Sequence, residues 1–514
     1  MPFFEKTQNT KRNLLFGVIK SAVSIILPFF TRTVIISRFG IQYAGLNSLF
    51  ASVLTVLNLT EAGFGTAIIY SLFKPVAEND VDTICAYLNH YKKVYRKIGI
   101  IILLLGILLI PLLPYLVLDN TMPGDLNLST CYLIFLIDSV SGYLLFGYMT
   151  AIPSAFQRTD LLNKIDTLLA VVKNAVFIML LISFDSFYCY LVSIPILTCV
   201  RNLVNAWNIH RHYPAYVCRG GLDAEQKTKL KKKNIGLFLA KLEGTCRNSI
   251  DSLCISAFIG LTATGIYNNY YIILDAVKGM GGVFYHSVLS SVGNSMVTGS
   301  KEKNYADMRR FDFMYCGIAG CAAVCLLCLY QPFMLLWVGR EQMLGYAEVL
   351  GLCLYIYILN SGDMRWVYSD AAGLWWEYRY MTLAEGLSNL ILNVVFCKFW
   401  GILGIIIATD VSMFIFNLVL APVILYREYF QNGKLMQFYS DHLLYFLTLI
   451  PVAVLSFFLC GRIPFDGIPG FALKAAAAFI ISAGGYIAIW HRSRLFADAA
   501  DWIRQRIPVN RKQG

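Results

Sequence analysis

The sequence is short of charge. Only 14% of its 514 residues are Asp, Glu, Lys or Arg, against about 25% in a typical soluble domain, which excludes an ordinary water-exposed globule of this length. It also lacks the short alternating apolar segments of a transmembrane barrel. No nucleophile motif, phosphate loop or zinc signature occurs along it, so no catalytic centre, cofactor or metal is expected. The fourteen cysteines form no disulfide framework. Cys189, Cys199, Cys254, Cys397 and Cys460 sit singly in apolar runs. Cys321, Cys325 and Cys328 share one helix face, with no His or second Cys pair at ligand spacing. Helix packing accounts for them, because free Cys buries readily. No cleavable signal peptide is expected, since the first apolar run outlasts an h-region and reaches Arg32-Thr33 without an A-x-A site.

What the chain has is hydrophobicity: 57% of residues are apolar and the mean hydropathy is +0.60. Runs of about 20 apolar residues, each long enough to cross about 30 Å of hydrocarbon, recur from Asn13 to Trp490. Backbone groups in lipid must be satisfied within the segment, so these runs are expected to be helices. The reading is an all-α integral membrane protein with fourteen spans. Six cover 13–36, 44–73, 98–118, 126–151, 161–183 and 188–209. Six more cover 235–259, 264–297, 311–338, 346–373, 378–400 and 402–426. The last two cover 442–460 and 468–490.

Basic residues orient the chain. Lys11-Arg12, Lys92-Lys93, Arg96-Lys97, Arg158, the run Lys227 to Lys233, Arg309-Arg310 and the tail arginines all fall on one side. The opposite loops show little beyond Arg38, Arg340 and Arg462. This bias marks the rich side as cytoplasmic, with both termini inside. The net charge of +12 therefore reads as topology, and no nucleic-acid partner is expected. Two basic segments are amphipathic: Val81 to Val94, and the tail positions Leu495, Phe496, Ala499, Trp502, Ile503 and Ile507. Both are expected to lie in the headgroup layer.

A weak repeat, offset by about 220 residues, relates Phe39-Gly40 with Ala44-Gly45-Leu46 to Ile259-Gly260 with Thr264-Gly265-Ile266. Two parallel six-helix lobes are expected to follow, 1–210 and 235–427. A basic cytoplasmic linker at 211–234 joins them, spans thirteen and fourteen occupy 428–490, and a cytoplasmic amphipathic tail covers 491–514. Parallel repeats of this kind enclose a central cavity with its substrate site near mid-membrane.

Ionisable residues inside spans are costly and mark pathways by default. In the first span Asn13, Gly17, Lys20, Ser24 and Thr31 share a face, Pro28 is expected to bend the helix, and Arg32 lies where it could snorkel to headgroups. In the second, Asn47, Asn58, Glu61 and Gly65 line one side. In the seventh, Glu243, Arg247 and Asp251 stack at four-residue steps, and Lys241, Thr245, Asn248 and Ser252 form another stripe. The eighth carries Asn268, Asp275, Lys278, Gly282 and His286. A salt-bridge ladder locking the helices is the competing reading for Glu243 and Asp251. Lys20, Lys241 and Lys278 outnumber the obvious partners on their own faces, which favours a cavity role for them. A wet cavity rich in such cations would attract a phosphate or diphosphate. Lys20, Lys241, Arg247, Lys278, Asn248 and Asn268 are the substrate-binding candidates. Glu61, Glu243, Asp251 and Asp275 are the candidates for a coupling cation, a proton or gating. In the tenth span Asn360, Asp363, Val367 and Asp370 share a face broken by Gly362, either a second polar patch or a packing feature.

The stretch Asn13–Thr33, the block Arg38-Phe39-Gly40 with Ala44-Gly45-Leu46, Leu59-Thr60-Glu61-Ala62-Gly63-Phe64-Gly65 and Phe156-Gln157-Arg158 give the chain its likeness. It resembles the Wzx-type polysaccharide flippases, in the superfamily that also holds multidrug/cation antiporters and the lipid II flippase. The resemblance implies two lobes worked by alternating access in a bacterial plasma membrane. It also implies an undecaprenyl-diphosphate-linked oligosaccharide as cargo for O-antigen, capsule or exopolysaccharide, with membrane lipids and a polysaccharide polymerase and chain-length proteins as partners. Two alternatives stand beside it. A multidrug/cation antiporter would need a cavity dominated by carboxylates, whereas basic residues at least match them here. A membrane-embedded polysaccharide polymerase would need a sizeable outer loop with catalytic groups, and the outer loops 119–125 and 185–187 are short.

Overall fold

The computed structural model describes residues 3–506 apart from 62, 119, 120, 432 and 466. Some side chains within helices are also outside the description, among them those at 239–246, 248 and 286. All described elements are helical, and no strand occurs among the described residues. Two compact units form, Met1–Asn268 and Asn269–Gly514.

The first unit begins with α1 (Phe3–Arg38), α2 (Ile41–Leu57) and α3 (Phe64–Glu78). It continues through α4 (Val81–Leu109), α5 (Leu128–Leu144), the short α6 (Ala151–Ala155), α7 (Thr159–Ser183) and α8 (Phe187–His212). It closes with α9 (Ala224–Phe258) and the start of α10 (Leu261–Thr298). The second unit takes the rest of α10, then α11 (Lys301–Trp337), α12 (Tyr346–Ser361), α13 (Asp363–Ala372) and α14 (Arg379–Met413). After α15 (Ala421–Leu425) come α16 (Leu435–Gly461), α17 (Gly467–Trp490) and α18 (Arg494–Arg506).

Nine described helices are long and apolar enough to cross a bilayer, ten if α5 and the segment Gly147–Ala155, bent by 53°, form one span. The other expected spans fall on α9 and α10, whose polar side chains dilute the apolar run, on α12–α13, and on the second half of α14. Inside α14, Gly401 leaves helical geometry (φ 58, ψ −131), which only glycine adopts readily. That residue separates the expected spans 378–400 and 402–426.

Local chemistry starts the helices where short polar side chains can satisfy free amides. Asp80 accepts from the Thr83 amide and Asn127 from the Thr130 amide, both at 3.0 Å. Asp223 and Gln226 form a reciprocal capping box, so the seventh span begins well inside the expected linker. The expected second span is interrupted. After α2 comes a 3₁₀ turn at Asn58–Glu61, and α3 opens behind Gly63 at φ 92.

Both amphipathic segments pack on protein. Ile84, Leu88 and Tyr91 sit in one core cluster with Phe64, Leu72 and Ile209, because Val81–Leu109 is one continuous helix instead of a surface loop followed by a span. The tail helix α18 places Trp502 edge-on to Phe311 at 5.2 Å and buries Ala499 beside Tyr445 and Trp490. The cysteines behave as small hydrophobes: Cys325 lies 3.8 Å from the Ser482 hydroxyl of α17, and no disulfide joins the described cysteines.

Candidate functional site

Lys20 meets a carboxylate. Its Nζ lies 2.7 Å from Asp166 and 3.2 Å from the Asn163 side-chain oxygen, both on α7. Asn205 of α8 donates to the other Asp166 oxygen at 3.0 Å. The contact belongs to a longer seam. Asn13 bonds the Gln157 carbonyl and the Asp160 amide, and Thr31 donates to Asn174 at 2.8 Å. Partners advance in the same direction along both helices, so α1 and α7 run parallel. About a third of the Lys20 side chain remains exposed. Asn163 and Asp166 were legible at helical spacing within the fifth span, but a partner on another helix has no local signal.

Arg32 points inward. Its guanidinium donates to the Ser48 hydroxyl at 3.1 Å and to the Gly265 carbonyl at 3.0 Å, which leaves the snorkelling option unused. At this level the two turns matched by the expected repeat touch reciprocally. A Cβ on Gly45 would stand 2.0 Å from the Leu261 carbonyl oxygen, and one on Gly265 would stand 2.6 Å from that of Ile41. Gly40 and Gly260, at φ 108 and 118, start the two helices in the same way. The pairs Gly40/Gly260, Ile41/Leu261 and Gly45/Gly265 share one offset, so the turns are related by a local pseudo-twofold.

On α9, Arg247, Asp251 and Ser252 are buried. Asp251 accepts from the Tyr267 hydroxyl at 3.1 Å, and Asn268 donates to Ser252 at 3.2 Å and to the Thr264 carbonyl at 2.9 Å. The structure thus joins Asp251, Ser252 and Asn268 to the α9–α10 seam. The side chains of Lys241, Glu243, Asn248 and His286 lie outside the described residues.

Along the second span the polar candidates Asn47, Asn58 and Glu61 each have a partner. Asn47 donates to Tyr190 at 3.0 Å, Asn58 accepts from Ser139 at 2.8 Å, and Glu61 accepts from Tyr95 at 3.0 Å. Tyr91 meets Tyr95 edge to face with centroids 4.4 Å apart. Gly65 makes room for this group, since a Cβ there would meet the Tyr91 hydroxyl at 2.7 Å and Glu61 at 3.1 Å. Glu61 therefore sits at a helix break, ringed by phenols. Carbonyls freed by such a break can coordinate a cation beside a carboxylate.

In the second unit Lys278 and Asp275 pair along α10 at 4.0 Å, with 37% and 62% of their side chains exposed. The tenth-span carboxylates join helices: Asp363 accepts from Tyr315 at 2.9 Å, and Asp370 from Tyr285 at 2.5 Å. Sequence reading missed two buried groups. Arg365, fully enclosed, donates to Asn417 at 2.5 Å and lies over the Trp366 ring. Glu385, Asn389, Asn393, Thr409 and Asp410 are all buried where the two halves of α14 fold back on each other. The four-residue spacing of Glu385, Asn389 and Asn393 was a usable signal. The unit also holds a cavity of about 850 Å³ whose walls include Leu354, Ile358, Phe414, Leu443 and Phe446.

Comparison with known proteins fits this geometry. The lipid II flippase MurJ in an inward closed conformation superposes with a TM-score of 0.68 at 14% identity, covering 93% of this chain and 99% of that one. An inward-facing multidrug resistance transporter of the MATE family, in the MOP superfamily, gives 0.59 at 13% identity, with 82% and 98% covered. The Vibrio cholerae MATE transporter VcmN gives 0.56 at 13% identity, with 84% and 98% covered. No curated protein sequence matches. At these identities the likeness establishes a multi-pass transporter fold. The family model for polysaccharide biosynthesis proteins matches residues 7–289. That is more than half of the sequence, and the chain belongs to the polysaccharide biosynthesis protein family.

Proposed function

We propose that this protein is a flippase that carries a polyprenyl-diphosphate-linked oligosaccharide from the cytoplasmic to the outer leaflet of a bacterial plasma membrane by alternating access. The observation that carries the reading is the set of cations on the helices of a polysaccharide-biosynthesis chain, Lys20 on α1 and Arg247 on α9 in one unit and Lys278 on α10 in the other. A diphosphate can displace the Asp166 carboxylate from Lys20 or add to it. Arg grips such a group bidentately, while Lys acts as a point charge. Asn268 supplies a neutral donor. The apolar cavity of the second unit suits a hydrocarbon chain. Glu61, Asp251 and Asp275 are the groups at which a cation or proton would couple. In this reading 1–210 and 235–427 are the two repeat lobes, and both termini are cytoplasmic.

The fold likeness to MATE transporters keeps drug/cation antiport as the competing activity. Vesicle reconstitution decides between them. A leaflet-specific assay should show labelled polyprenyl-diphosphate sugar crossing in the presence of the protein. Cation-driven efflux of a cationic dye without lipid translocation would reject the flippase.

A further inference from the structure

Deep in the second unit three side chains from two helices converge. Asp312 and Cys316 stand one turn apart on α11, and His442 faces them from α16. All three are buried, with 4%, 2% and 9% of their surfaces exposed. The imidazole orientation is set by its Nδ1, 3.0 Å from the Phe438 carbonyl oxygen. A carbonyl only accepts, so Nδ1 carries the proton, and in the neutral ring Nε2 presents a lone pair. That lone pair faces two oxygen acceptors, the Asp312 carboxylate at 3.4 Å and the Ser361 carbonyl oxygen at 3.3 Å, with the Cys316 sulfur, as a thiol only a weak donor, at 3.9 Å. Ser361 ends α12 just before the Gly362 break. The second Asp312 oxygen is buried with no hydrogen-bond partner. Electron-rich atoms gathered in this way repel unless a cation lies among them.

A proton alone fits the spacing poorly. A charged N–H···O bond between His and Asp closes to about 2.7–2.9 Å, well under 3.4 Å. A tetrahedral metal with bonds of about 2.0–2.2 Å to N and O spaces those ligands by about 3.4 Å, and its sulfur, at about 2.3 Å, falls near 3.6 Å from the nitrogen. The three ligand atoms all lie within 4.8 Å of one another. An Nδ1–H held by a backbone carbonyl is also the usual outer support of a metal-bound His. Charge balances as well, because a divalent ion with one thiolate and one carboxylate is neutral. The nearby Arg309 and Asp441 satisfy each other through bonds of 2.6 and 3.0 Å.

We propose that Asp312, Cys316 and His442, with the Ser361 carbonyl, bind one zinc-class divalent ion that fastens α16 to α11 and α12. The sequence hides the site because His442 lies 126 residues from Cys316. The inference is independent of the cargo.

The test uses the full-length protein purified in detergent without chelator, then loaded with Zn2+ or Co2+ and dialysed. One tightly held ion per chain is expected. The cobalt form should show a thiolate-to-metal charge-transfer band, and chelation should lower the melting temperature. Cys316→Ser and His442→Gln should each weaken binding by more than about 100-fold, beyond the range of outer-support mutations, while Cys397→Ser retains it. If the variants fail to fold, the wild-type cobalt spectrum decides: a thiolate band supports the site. A chain that takes up neither ion overturns the proposal. So does uptake that survives Cys316→Ser and His442→Gln, which would place the metal elsewhere.

Discussion

The Lys20–Asp166 pair can be either a strut or part of the cargo site, and a double-mutant cycle separates the two. At 2.7 Å the bare attraction is about 6 kcal/mol for an effective dielectric constant of about 20. Desolvation and side-chain ordering cancel most of it, and 36% and 21% of the two side chains stay exposed, so a net coupling of about 1–3 kcal/mol is expected. Lys20→Met leaves Asp166 with Asn205 as its remaining hydrogen-bond donor and should lower thermal stability by that amount. Asp166→Leu should do the same. The double variant removes both charges and should recover most of the loss, because no buried charge is stranded. Thermal unfolding in detergent reads stability, and leaflet-specific translocation in vesicles reads function. If Lys20 binds the diphosphate, the double variant is stable and inactive. Wild-type translocation by the double variant would refute the role of Lys20 in cargo binding. Additive stability losses would refute the coupling drawn from the geometry.

Other outcomes follow from packing. Gly45→Ala should cost about 3 kcal/mol or more, since its Cβ would overlap the Leu261 carbonyl; Gly142→Ala, with nothing within 4 Å, should be neutral or raise stability by up to about 1 kcal/mol. Thermal denaturation of the two variants checks the contrast. Trp502→Ala should release α18 from α11 at a cost of about 2 kcal/mol, seen as roughly 30-fold faster proteolysis of the tail; an unchanged cleavage rate would contradict the docking. Glu61→Gln should abolish the dependence of translocation on an ion or proton gradient while the protein still inserts. Retained gradient dependence would remove Glu61 from coupling.

The fold was legible wherever hydrophobic length decides it. The expected spans fall on helical segments among the described residues, and the boundary expected between 378–400 and 402–426 coincides with Gly401, whose backbone angles only glycine adopts readily. Breaks inside spans were harder to see. The stretch Asn58–Glu61 falls inside one expected span, yet it turns into 3₁₀ geometry where Glu61 reaches Tyr95. Of the candidate site, residue identities were visible and partners were not. Lys20 looked unpaired because Asp166 lies on another helix. Arg365 was invisible as a buried cation because its partner Asn417 comes from a distant segment. Amphipathic periodicity found the apolar faces of 81–94 and α18, but periodicity does not say whether protein or lipid covers them.

The interruption at Asn58–Glu61 has a bearing on how this helix can sit in a bilayer. Winding that changes part-way across a membrane strands amides and carbonyls that acyl chains cannot hydrate. Lipid is therefore barred from that flank, and water, phenols or a passing polar molecule must occupy it. The rotation of the second span about its own axis is thus dictated by main-chain atoms, and side-chain swaps that keep the kink should leave it unchanged.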